Sequence, residues 1–213
     1  IKNIKDFHSI LGRLRSIIQY INEASFIFTG SIRKKMDHIF RDPQYPFFKS
    51  ALPLDFPKIE EDRMYKFVNE KMIQKNINIT QESFDRLYKI TNGIIGDIQQ
   101  FCKIAFSYLE MGATIDMQLF IEILRELFKL EEKFYNYTIY ESSLTKLQIS
   151  VLCALAKYDT LGYQSNEFKE IVKNYNSNAI DTTIKALERY NIIYVEGRKV
   201  FFFNPFFREW LRK

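Results

Sequence analysis

The chain has 213 residues, 46% hydrophobic and 27% charged, the mixture of a soluble globular protein that can bury a core. Only two cysteines, seven glycines and five prolines occur, which argues against a disulfide scaffold and against flexible linkers, and no run of 18 apolar residues suggests a transmembrane helix. The net charge of +5 is uneven: residues 1–50 carry 9 basic and 4 acidic side chains, residues 51–140 carry 11 and 14, and residues 141–213 carry 11 and 8. Mildly basic ends permit a nucleic-acid partner without demanding one. Cys102 and Cys153 lie far apart within apolar helical patterns, so they read as reduced core thiols, which fits a cytoplasmic setting. The chain opens on Ile1 rather than Met and is expected to begin inside a longer gene product.

The first element is an amphipathic helix, because Ile4, Phe7, Leu11, Leu14, Ile18 and Ile21 recur at three- and four-residue steps. It lacks the uninterrupted apolar stretch of a secretory signal. Ala24 to Phe28 is a short apolar run closed by Thr29-Gly30-Ser31, the pattern of a buried strand in a parallel sheet. One strand makes no sheet, so its partners are expected outside these residues. Four of the five prolines, Pro43, Pro46, Pro53 and Pro57, mark a connecting segment.

The middle reads as helical. Met64, Phe67, Val68 and Met72 form one stripe. Thr80 is the N-cap expected for a helix with Phe84, Leu87 and Tyr88, and Asn92-Gly93 should end it. A third helix carries Ile98, Phe101, Cys102, Ala105 and Leu109 up to Gly112. A fourth carries Met117, Phe120, Ile121, Leu124, Leu127 and Phe128.

The last third has a different pattern. Thr145 and Gln148 form a capping-box signature before Leu147, Val151, Leu152 and Leu155. Ser165 should cap a short helix with Phe168, Ile171 and Val172, and Ser177 should open another with Ile180, Ile184 and Leu187. Ile192 to Val195 and Val200 to Phe203 read as a hairpin around Glu196-Gly197-Arg198-Lys199. A final helix runs from Pro205 to Leu211 with Phe206, Phe207 and Trp210 facing inward. Three helices followed by a hairpin is winged-helix order. The fold expected is mainly α, with the segments 1–50, 51–140 and 141–213 as three domains, the last folding by itself.

Several residue strings resemble those of the archaeal-type AAA+/STAND P-loop ATPases. The run Phe26-Ile-Phe-Thr-Gly-Ser31 with Met36, Phe40 and Pro46-Phe47-Phe48 is similar to that family's sensor-1 strand and the loop after it. Leu144-Thr-Lys-Leu-Gln148 to Ala154-Leu-Ala156, and the ending Asn204-Pro-Phe-Phe-Arg-Glu-Trp-Leu211, are similar to its C-terminal winged helix and tail. The resemblance implies a remnant of an α/β ATPase core, a helical lid and a winged helix, in a parent protein that binds ATP and Mg²⁺ through an upstream core. No G-x-x-x-x-G-K-[ST] occurs in these residues, so this chain alone is expected to bind no nucleotide. Thr29 and Ser31 are the sensor-1 candidates, and Gly30, Gly96 and Gln99 the nucleotide-facing ones. Gln99 stands where the family often has an arginine, and Lys49 where an arginine often follows the Pro-aromatic pair.

Basic runs and lone histidines carry less. Arg33, Lys34 and Lys35 read as a solvated face or a phosphate-steering group, and His8 and His38 have no partner at metal-ligand spacing, so no metal is expected. Glu60-Glu61-Asp62 suits a helix N-terminus. Asn178, Thr182, Lys185 and Arg189 fall at steps of four, three and four, opposite Ile180, Ile184 and Leu187. That is the layout of a recognition helix in a major groove, with Arg198 and Lys199 at a wing tip for phosphates. A protein-contact face has the same layout, and Asp181 and Glu188 dilute the positive field. The function expected is the C-terminal part of an ATP-dependent switch whose winged helix meets duplex DNA or a protein. The alternative is a non-enzymatic binding module of the same shape.

Overall fold

Among the described residues, side-chain hydrogen bonds cap the N-termini of six helices. The structure, a computed structural model, describes residues 7–30, 33–54, 57–141, 144–158, 162–172 and 175–213. It is mainly α-helical, in two compact units, Ile1–Pro57 and Lys58–Lys213.

In the Ile1–Pro57 unit, the described helices are α1 (Phe7–Ile18) and α2 (Arg33–Arg41). Phe28, Phe40 and Phe47 form an aromatic triangle with ring centroids 5.1 to 5.6 Å apart. Arg15 donates to the Pro46 carbonyl, and His8 Nε2 lies 2.6 Å from the Gln44 carbonyl oxygen. The strand expected over Ala24 to Phe28 is absent. These residues carry no regular secondary structure and form no ladder among the described residues, and Ile27 is 88% exposed. An apolar run has strand composition whether or not a neighbouring strand exists, but a strand forms only where a ladder satisfies its backbone.

The Lys58–Lys213 unit opens with α3 (Glu61–Ile73), whose Met64, Val68 and Met72 are buried while Phe67 is 55% exposed. The strands β1 (Asn78–Ile79) and β2 (Thr114–Ile115) pair in parallel, Asn78 opposite Thr114 and Ile79 opposite Ile115. Each runs straight into a capped helix. Thr80 accepts from the Ser83 N–H to start α4 (Gln81–Thr91), and Asp116 accepts from the Leu119 N–H to start α6 (Met117–Asn136). The two-residue ladder thus stitches together the N-termini of α4 and α6. Between them lies α5 (Ile95–Tyr108), entered through Asn92 and Gly93 at φ 52° and 69°. Asparagine and glycine tolerate that left-handed backbone best.

A π-helix (Tyr137–Glu141) extends α6. Thr145 and Gln148 then close a complete capping box on α7 (Lys146–Lys157). Ser165 caps α8 (Asn166–Ile171), and Asn176, one residue before the expected Ser177, caps α9 (Ser177–Arg189). The hairpin β3 (Ile193–Glu196) and β4 (Lys199–Phe202) follows, then α10 (Pro205–Leu211), capped by Asn204.

One core runs from Met64 to Phe207 through this unit. The expected boundary at 140/141 lies inside the π-helix, and the core crosses it. Tyr135, fully buried on α6, packs on Phe207 at 5.2 Å and on Trp210 at 5.4 Å between ring centroids. Trp210 itself is half-buried. Glu209 on α10 ties the same elements by charge. Its carboxylate meets Arg86 of α4 at 3.6 Å, Arg208 at 3.1 Å and Arg212 at 2.8 Å. Arg212 Nε in turn donates to the Ala156 carbonyl near the end of α7.

This arrangement makes Tyr135 the test of the shared core. Tyr135→Ala should cost about 3–5 kcal/mol, the usual range for emptying a buried aromatic site. Urea unfolding followed by Trp210 fluorescence measures it, and a loss under about 1 kcal/mol would mean that the two parts do not depend on this contact.

Candidate functional site

α9 and the hairpin present a run of exposed polar and cationic side chains. On α9, Ile180, Thr183, Ile184 and Leu187 are buried, packed with α7 and β3. This fixes the rotation of the helix. Asn178, Thr182, Lys185 and Arg189 consequently lie exposed on its other side. Asp181 is half-buried and lines a small cavity with Tyr163, Gln164, Lys169, Ser177 and Ile180. Arg189 rests on the ring of its neighbour Tyr190, 5.6 Å from the centroid, which limits its freedom without covering it.

The hairpin turns on Gly197 and Arg198. Gly197 has φ +60° while Arg198 does not share the left-handed backbone, the pattern of a type II′ turn that needs glycine first. Arg198 and Lys199 are exposed at its tip. Ile193 and Phe202 face the core as a register pair, and Tyr194 stacks on its opposite number Phe201 at 5.2 Å on the other face. The structure therefore gathers five cationic or polar residues of α9 and the hairpin tip on exposed positions of two adjoining elements, with Asn178 at the start of α9. Glu188 is engaged rather than idle: its Oε1 accepts from the Val195 N–H at 3.0 Å.

The other expected site residues divide differently. Thr29 and Gly30 are exposed in the Ile1–Pro57 unit, and Ser31 lies outside the described residues. A Cβ at residue 30 would come within 2.5 Å of Met36 Sδ, so Gly30 gives room to that side chain. Arg33, Lys34 and Lys35 open α2. Gly96 and Gln99 share the exposed start of α5, and nothing lies within 4 Å of a Cβ built at Gly96. Lys49 has φ 54° and sits over the Phe48 ring at 5.1 Å. Among the described residues, no three His, Cys, Asp or Glu side chains converge as metal ligands, and no helix is long and apolar enough to cross a membrane. Burial pushes the Cys102 thiol up to about 12, so it is an unreactive core group.

Asp97 is a residue that no spacing rule in the sequence singles out. It follows Gly96 in the first turn of α5, and burial pushes its carboxyl from the ordinary 3.8 up to about 6. It also helps to raise the Tyr194 phenol, after desolvation and Glu196, which puts it within electrostatic reach of the hairpin. The only trace in the sequence was the Gly-Asp pair itself.

No protein-family model, curated protein or solved structure matches the chain.

Asp97 gives a signed pH prediction. A carboxyl with a raised folded pKa holds its proton in the native state at pH values where the unfolded chain has lost it. Stability should therefore fall as pH rises from about 4 to about 6, the window between the two values. Asp97→Asn should flatten that part of the curve. Urea midpoints at pH 4, 5 and 6.5 test it, and a wild-type slope that survives the substitution would assign the effect to another group.

Proposed function

We propose that the Lys58–Lys213 unit is a lid fused to a winged helix that docks duplex DNA, and that it forms the effector end of an ATP-dependent switch of AAA+/STAND type. One observation carries the docking part of this reading: Asn178, Thr182, Lys185 and Arg189 lie exposed along α9, with Arg198 and Lys199 exposed at the adjoining hairpin tip. A helix about the width of a major groove, with a basic turn beside it, is the geometry in which base edges and phosphates are met together. The resemblance of the Phe26–Ser31 run, the Leu144–Ala156 string and the Asn204–Leu211 tail to those ATPases supports the switch part. In this reading ATP and Mg²⁺ are bound by a core supplied from outside these residues, for which Thr29 and Ser31 remain the sensor-1 candidates and Gly30, Gly96 and Gln99 the nucleotide-facing ones. ATP state sets the arrangement of the lid, and the winged helix carries that arrangement to the DNA.

The roles on the docking face follow from reach and chemistry. Arg198 and Lys199 meet phosphates, which sets affinity without sequence preference. Lys185 and Arg189 reach base edges, where a bidentate contact discriminates by about 1–3 kcal/mol.

Fluorescence anisotropy of a labelled mixed-sequence duplex with the full chain tests the docking part. Binding should weaken steeply with salt. Replacing both Arg198 and Lys199 by Ala should weaken all sequences alike and reduce the salt slope by roughly two units. Lys185→Ala should change sequence preference instead. No binding at low salt would remove DNA as the partner and leave a protein as the occupant of the same face. Calorimetric titration with Mg-ATP tests the other part. This polypeptide should show no micromolar binding, because it holds no phosphate loop.

A further inference from the structure

The acidic residue on the last turn of α9 looks misplaced on a DNA-binding face, yet its geometry gives it a task. The register pairs Glu196 with Lys199 across a two-residue turn, then Val195 with Val200 and Tyr194 with Phe201. In an antiparallel hairpin such pairs alternate between hydrogen-bonded and non-hydrogen-bonded. The pair that closes a two-residue turn is hydrogen-bonded, and the Phe203 N–H to Ile192 carbonyl bond of 3.0 Å keeps the same phase. Val195 therefore belongs to a non-hydrogen-bonded pair, and its N–H points off the open edge of β3. That N–H is where Glu188 Oε1 accepts, at 3.0 Å. A side chain fixed on α9 thus holds the free edge of the wing's first strand, two residues before its glycine turn.

We infer that Glu188 is a positioning residue for DNA docking: it locks the hairpin to α9, so that Arg198 and Lys199 reach phosphates while Lys185 and Arg189 reach bases. The inference rests on the docking reading above. It reverses the sign expected of a carboxylate on a binding face. A carboxylate that merely dilutes the field repels phosphate, and removing it in any way tightens binding. A carboxylate that positions the wing is needed for its acceptor oxygen, and removing that oxygen releases the two cations at the tip. The bond also covers an edge N–H that would otherwise be open to pairing.

Glu188→Gln and Glu188→Ala separate the two. Gln keeps a carbonyl oxygen at nearly the same place and removes the charge. Ala removes both. The experiment is duplex binding by the full chain across a salt series, with a thermal melt of each variant. Glu188→Gln should bind as tightly as wild type or tighter, with the wild-type salt slope. Glu188→Ala should bind more weakly, and its slope should fall by roughly two units, to that of the Arg198→Ala/Lys199→Ala variant. Combining it with that double substitution should produce no further fall, since the contacts are already lost. A loss of fold lowers the active fraction but leaves the slope of the remaining binders unchanged, so the slope reports position and not stability. If Glu188→Ala keeps the wild-type slope or binds more tightly, or if Glu188→Gln loses the slope as Ala does, the positioning role is overturned while docking stands. If the wild type itself shows no binding at low salt, the docking reading fails and this role fails with it.

Discussion

A single long helix has to bury its apolar face in two places at once, and the architecture of the Lys58–Lys213 unit follows from that. α6 runs for 20 residues from Met117 to Asn136. Its first three turns bury Phe120, Ile123, Leu124, Leu127 and Phe128 on the side of α4 and α5, with the Phe101 ring of α5 tilted 5.0 Å from Phe120. Its last turn buries Tyr135 against Phe207 and Trp210 of α10. The two parts share one core. The hydrophobic effect is non-directional and needs only coverage, so α10, the last helix of the chain, returns to cover what α6 leaves open.

Polar contacts then turn that coverage into a defined angle. A ring packed on rings tolerates some sliding, whereas charge-assisted hydrogen bonds do not. The Glu209 carboxylate, 9% exposed, receives Arg208 and Arg212 from its own helix region and faces Arg86 of α4. A mostly buried carboxylate is tolerated only with such partners, and removing one of them is costly. The Glu188 bond to Val195 repeats the device on a smaller scale, joining α9 to the hairpin. In both cases an acid that looks unremarkable in sequence fixes the orientation of an element whose burial is already assured by apolar residues.

The legible parts of the chain are those whose signals are local. Thr80, Thr145 with Gln148, Ser165 and Asn204 each cap a helix through a hydrogen bond three residues away, so short windows of sequence contain the whole interaction. The hairpin was legible for the same reason, since Gly197 and its flanking strands lie within ten residues. The exposed face of α9 followed from periodicity alone. What stayed hidden depends on distant partners. β1 and β2 are two residues each and lie 36 positions apart, with no hydrophobic run to announce either. Ala24 to Phe28 had the composition of a strand, but composition does not supply a partner. The burial of Tyr135 and the raised carboxyl of Asp97 are products of packing between elements that no spacing rule connects.

These contacts also constrain how a switch of the proposed kind would work. An aromatic cluster joins α6 to α10, the Arg86–Glu209 ion pair joins α4 to α10, and the Arg212 bond to the Ala156 carbonyl joins α7, and close-packed cores resist continuous deformation. A ligand acting on the lid would therefore not deliver its free energy by repacking the interior. It would move the Lys58–Lys213 unit as a body, carrying α9 and the hairpin with it. Under that constraint, the relative placement of α9 and the hairpin tip is the same in every state of the switch, and what changes is where that fixed surface is presented. Rigid coupling of this sort suits DNA, whose groove and phosphates have a fixed spacing that a loosely held wing would meet only part of the time. In the proposed reading, the local bond from Glu188 and the distant one from Glu209 act at two levels toward one end: the docking surface is preformed before it is moved.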